Sequence, residues 1–224
     1  MSVVFRRIAS GYCSRNLLSL RAALITIIVI HFFGAMGLLV PDTRPYFEIA
    51  TPLNLIITSL ILFSFHKDWN LPFLLFAIIT FLVGYLIEVV GVHTAAVFGS
   101  YHYGDILGLK LWDVPLIIGV NWLMLIYVTG NIASSLSRNI VVKCLLGSLL
   151  MVGLDYFIEP VAVALDFWSW EGGKIPLQNF VGWLITAFVL QFLYHTTKFD
   201  KTNIFAKYVF AVQLVFFIFL QTFV

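Results

Sequence analysis

The chain has 224 residues, 61% of them hydrophobic and 11% charged, with a mean hydropathy of +1.01 and a net charge of +2. That composition excludes a soluble domain of this size, and with no basic run interleaved with aromatics it gives no support to a nucleic-acid partner. The expected fold is all-α: a polytopic membrane helical bundle of about seven transmembrane helices set in the lipid bilayer, with its N-terminus inside.

Residues 1–19 mix arginine, serine and apolar positions and read as an interfacial lead-in, or equally as a disordered tail. A single transmembrane helical domain is expected over 20–224. Seven apolar stretches of roughly spanning length fall at 20–40, 50–66, 71–93, 114–136, 140–165, 178–196 and 204–223, and the second is the shortest. The first run is too long for a signal-peptide core, so the first helix is expected to stay. With the N-terminus inside, ten Lys and Arg side chains lie inside and three, Arg44, Lys110 and Lys174, outside, as the positive-inside rule requires. Of the eleven acids only Asp68 and Asp200 then fall inside. Cys13 and Cys144 both lie on the basic side with no disulfide or zinc spacing, and read as plain thiols.

Helix 1 carries His31, read as a core hydrogen-bond partner rather than a ligand, and Pro41 and Pro45 are expected to end it in a tight connection. In helix 3, Gly84, Glu88 and Gly91 share one face, where glycines let another backbone approach closely. A carboxylate at membrane depth costs roughly 2.5–3.5 kcal/mol, so Glu88 is expected to face a cavity and have a task. The alternative is a packing seam in which Glu88 only pairs with a neighbouring helix. Residues 94–113 are too polar and glycine-rich to span, although Ala95, Val97 and Phe98 can dip back if protein covers them. This connection brings His93, Tyr101, His102, Tyr103 and Asp105 together.

Helix 4 carries Asn121 in its outer half beside Trp122, which reads as interfacial belt. Helix 5 places Ser148, Asp155 and Glu159 on one stripe, the two acids one turn apart. Like charges at that spacing repel, so at least one acid is expected to keep its proton at neutral pH. Pro160 frees the carbonyl of Tyr156 beside them. The following loop holds Trp168 and Trp170, read either as a substrate lid or as interface anchors, and leads to Gln178, Asn179 and Trp183. Helix 7 offers no chemistry, and no internal repeat marks an inverted-repeat transporter.

Folding these spans back and forth brings the carboxyls, His93, His102, Tyr101, Tyr103, Asn121 and Asn179 to one membrane face. A protonated carboxyl beside an apolar, aromatic-lined groove suits protonation of an unactivated carbon–carbon double bond. The tertiary cation could rest against Tyr156, Trp168 or Trp170, and either water or a neighbouring double bond could capture it. No histidine boxes of a di-iron oxygenase, no Asp-rich pyrophosphate repeats and no metal-ligand set appear in the sequence, so no cofactor and no metal is expected. A proton-coupled transporter using Asp155 and Glu159 as its relay stays open on the residues alone.

The motifs resemble the carotenoid biosynthesis proteins that hydrate the linear end group of carotenoids. The resemblance rests on Gly84–Glu88 with Val92-His93-Thr94, on Phe98–Tyr103, on Val114-Pro115-Leu116, and on Asp155 with Glu159-Pro160. It rests also on Trp168 with Trp170 ahead of Ile175-Pro176 and Asn179-Phe180, and covers about half the chain. It implies a cofactor-independent hydro-lyase acting on a membrane-dissolved carotenoid substrate, in the cytoplasmic membrane of a prokaryote, with other carotenoid pathway enzymes as further partners. On this reading Asp155 or Glu159 is the general acid, while Glu88 and His93 place the water.

Overall fold

The computed structural model describes residues 18–223, so most of the expected lead-in, with Cys13, lies outside the described residues. Helix α1 (Leu20–Leu39) opens on Ser19, whose hydroxyl accepts from the Ala22 amide at 3.2 Å. Helix α2 (Arg44–Ser64) starts six residues earlier than the sequence indicates. Pro45, expected in the connection, occupies the first turn of α2, where a missing N–H is not missed. Arg44 Nε donates to the Leu38 carbonyl at 2.9 Å and so fixes the corner between the two helices. The second span is therefore 21 residues long rather than short.

Helix α3 (Leu71–Thr94) is capped by Asn70, and α4 (Ile117–Leu136), α5 (Ile140–Ala164), α6 (Leu177–Thr196) and α7 (Ala206–Gln221) follow. The first six are long and apolar enough to cross a membrane; α7 has 16 residues, fewer than its expected span. The chain is a polytopic all-α bundle. Helix α4 is its axis, mostly buried and packed against α2, α3, α5, α6 and α7. The α1–α2 hairpin leans on α7 and on α4, which leaves a groove between it and α5.

Short strands form in the expected loops, and the last of the first three takes Val114 and Pro115, which the sequence placed at the start of the fourth span. Strand β1 (Tyr101–Tyr103) and β4 (Trp168–Trp170) form an antiparallel ribbon with Tyr101 opposite Trp170, His102 opposite Ser169 and Tyr103 opposite Trp168. Strands β2 (Lys110–Leu111) and β3 (Val114–Pro115) form a hairpin whose two turn residues, Trp112 and Asp113, have φ of 50° and 61°. Those left-handed conformations are what a two-residue hairpin needs. Between α3 and β1 the chain turns inward: Phe98 is buried, and Gln178 Nε2 holds the Ala95 and Ala96 carbonyls at 3.0 and 2.8 Å.

Candidate active site

Successive side chains of a strand point to opposite faces, so a three-residue strand sends its first and third residues the same way. Ribbon β1–β4 uses that rule twice: Tyr101, Tyr103, Trp168 and Trp170 face the bundle. His102 and Ser169 face out, where Ser169 Oγ and His102 Nε2 are 2.9 Å apart.

Two buried glutamates receive those four side chains. Glu88, near the end of α3, accepts from Tyr101 Oη at 2.5 Å and Tyr103 Oη at 2.9 Å on Oε2, and from Trp122 Nε1 at 3.0 Å on Oε1. Glu159 accepts from Trp168 Nε1 at 3.0 Å and Trp170 Nε1 at 2.9 Å on Oε2, and from Asn179 Nδ2 at 2.8 Å on Oε1. Three donors on each carboxyl compensate the loss of water around it. Burial, and then the neighbouring Glu88, holds the Tyr101 and Tyr103 phenols far above their usual range, so both remain donors.

The helices meet here because α3 is thin where it must be. A Cβ on Gly84 would lie 2.3 Å from the Trp122 Cβ, so only glycine lets α4 bring the indole to Glu88. The Trp122 ring then stacks on Trp183 at 4.4 Å between centroids. Asp155, one turn before Glu159 on α5, is fully buried. Its Oδ2 accepts from Asn179 Nδ2 at 3.3 Å, and its Oδ1 has no partner among the described residues.

Glu88 and Glu159 both line a cavity of about 20 Å³, walled also by Asn121, Asn179 and the ribbon aromatics. A water molecule needs roughly 10–15 Å³ of such space and two to four polar partners. Beside it lies a groove of about 310 Å³ with mostly aliphatic and phenylalanine walls from α1, α2, α4, α5 and α7. Ile118, Asn121 and Trp168 line both, so a polar chamber with room for one water adjoins an apolar groove across three side chains.

Of the residues singled out in the sequence, Glu88, Glu159, Tyr101, Tyr103, Asn121, Trp168, Trp170 and Asn179 line the chamber, and Asp155 stands behind it. Four do not reach it. His93 projects outward, half exposed, with Nδ1 on the Val89 carbonyl and Nε2 3.3 Å from Asp113, so it cannot place a water there. His102 is on the outer face of the ribbon, by the alternation above. Asp105 is exposed against Lys110 at 2.7 Å, and that ammonium holds its carboxyl below the usual range. Tyr156, 58% exposed, lies on the outside of α5 near Phe180, about 100° around the helix from Asp155 and about 60° from Glu159. Trp122, read as interfacial belt, is instead fully buried and a direct donor to Glu88. Ile118 and Trp183 also line the chamber; the apolar start of α4 gave no hint of Ile118.

The family model described as "Carotenoid biosynthesis protein" matches residues 50–224. Over 126 residues the chain is 35% identical to the bisanhydrobacterioruberin hydratase of Haloarcula japonica, an alignment covering 50% of this chain and 41% of that one. The chain thus matches less than half the length of that relative. No solved structure matches. Because the family match runs through both halves of the acid site, from α3 to α6, the chain belongs to the carotenoid biosynthesis protein family.

Proposed function

We propose that the chain adds water to the terminal C1–C2 double bond of a linear carotenoid end, acting on a substrate dissolved in the membrane and using no cofactor. The observation that carries this reading is the shared wall between the apolar groove and the one-water chamber lined by Glu88 and Glu159. The end group lies in the groove with its double bond at Asn121 and Trp168. Glu159, which lines the chamber beside Trp168, is the general acid and delivers a proton to C2. Asp155, one turn away and joined to Glu159 through Asn179, keeps a second carboxyl in the same dry pocket, and the two hold a proton between them.

Protonation leaves a tertiary cation at C1. The Trp168 indole offers it a ring face, and the nearby Glu88 carboxylate offers opposite charge. Water in the chamber, held by Glu88, adds to C1 and returns a proton to the acid pair, so atoms balance as substrate plus water and no electrons are exchanged. Its likeness to a hydratase over half the chain supports the same reading.

Expression in a host that accumulates an acyclic carotene tests it. The expected pigment is heavier by one water and takes its hydroxyl oxygen from labelled water. Incorporation from dioxygen, or an isomer of unchanged mass formed by ring closure, overturns the proposal.

A further inference from the structure

The groove and the chamber share three wall side chains, Ile118, Asn121 and Trp168. Ile118 has no polar atom, and the Trp168 N–H is already given to Glu159. Asn121 is different. It sits one residue before Trp122 on α4, so the close approach of α3 and α4 at Gly84 that brings the indole to Glu88 also brings this amide to the site. It is half-buried, and neither its oxygen nor its nitrogen has a hydrogen-bond partner among the described residues. A primary amide offers two donors and an acceptor, and leaving them idle between hydrocarbon walls is costly unless a ligand meets them. The hydrocarbon end of a carotene cannot. A water in the chamber can.

Such a water needs roughly two to four polar partners, and Glu88 has room to be one of them. An ionised carboxyl has about four acceptor positions. Tyr101 and Tyr103 take two on Oε2 and Trp122 takes one on Oε1, so Oε1 keeps one. We infer that Asn121 holds the nucleophilic water: its Oδ1 accepts one O–H, Glu88 Oε1 accepts the other, and the lone pairs of the water oxygen stay free for C1. The inference rests on the proposed function and deepens it by naming the side chain that decides how the cation ends. With the water held, the C1–O bond forms, and the proton that the oxygen sheds passes through Glu88 back to the acid pair. With the water lost, the cation gives up a proton from C2 or from a methyl carbon on C1 to the acid pair, and an alkene of unchanged mass leaves. Neither course exchanges electrons.

Heavy water separates the two courses. The full chain in lipid nanodiscs is equilibrated in deuterium oxide and mixed, in excess, with an acyclic carotene; alcohol formed and deuterium in the recovered carotene are both read by mass. The parent gives the alcohol. Asn121→Leu should form about 100-fold less of it, the scale of a misplaced reactant, while deuterium still enters the recovered carotene because protonation is intact. Asn121→Ser, which keeps an acceptor, should hydrate within about tenfold of the parent, the cost of one weakened neutral hydrogen bond. Glu159→Gln should give neither alcohol nor deuterium. Should the leucine variant not fold, Asn121→Val takes its place with the same outcomes. Hydration by the apolar variant within about threefold of the parent overturns the role of Asn121. So does a parallel fall of alcohol and deuterium in that variant, or a serine variant no better than it. A parent that forms no alcohol overturns the proposed reaction, and this inference with it.

Discussion

Replacing Gly84 by alanine tests whether the approach of α3 and α4 builds the Glu88 site. The new Cβ would be 2.3 Å from the Trp122 Cβ, against about 3.5 Å or more for ordinary carbon contact, so the helices must part by about 1.2 Å. The Trp122 Nε1 to Glu88 Oε1 bond, now 3.0 Å, would stretch to roughly 4 Å and be lost. Overpacking costs about 1–3 kcal/mol and a lost bond to a charged acceptor about 1.5–3 kcal/mol, so Gly84→Ala should destabilise by roughly 2.5–6 kcal/mol. Trp122→Phe keeps the same Cβ but has no N–H. In that background Gly84→Ala should cost only the packing part, giving a coupling of about 1.5–3 kcal/mol between the two sites. Equilibrium unfolding of the four variants in mixed micelles reads this directly. A cost for Gly84→Ala below about 0.5 kcal/mol, or the same cost in both backgrounds, would refute the argument.

Glu159→Gln and Glu88→Gln should each reduce hydration at least about 100-fold in a pigment assay, while leaving the protein folded because glutamine keeps the shape and an acceptor oxygen. His93→Ala and Tyr156→Phe should stay within about threefold of the parent in that assay; a large loss at either would mean that the resting geometry is not the working one. His66 is buried between α2 and α3, with Nε2 donating to the Asp68 carbonyl and Nδ1 accepting from Tyr127. Burial lowers its proton affinity in the folded state, so the unfolded chain binds the proton more readily and stability is lost as pH falls below about 6.5. Melting against pH should show that loss, and His66→Gln should flatten it.

The parts of the fold that hydropathy could reach were legible: the spans over α3 to α6 agree with the structure within three residues. The start of α2 was not, because Pro45 reads as punctuation unless one knows that a helix start does not need its N–H. Glu88 and Glu159 announced themselves as acids in apolar runs. Their partners were harder. Tyr101, Tyr103, Trp168 and Trp170 are four aromatics at i and i+2 in two loops 67 residues apart, and only the pairing of β1 with β4 makes them one face. His93 misled because it follows Glu88 in the same motif, yet five residues along a helix turn a side chain well away from the first. Trp122 misled because belt tryptophans and buried donors look alike in one sequence, and only the space at Gly84 tells them apart.

One three-by-three ribbon supplies four of the six hydrogen bonds on the two glutamates. The carboxyls are therefore mechanically yoked: any movement that lifts β4 from β1 loosens both at once, and a change to a ribbon aromatic that retunes one disturbs its twin. Natural variants should for that reason exchange these aromatics as a block, and an engineer seeking a new specificity is better served by reshaping the groove walls than by touching the yoke.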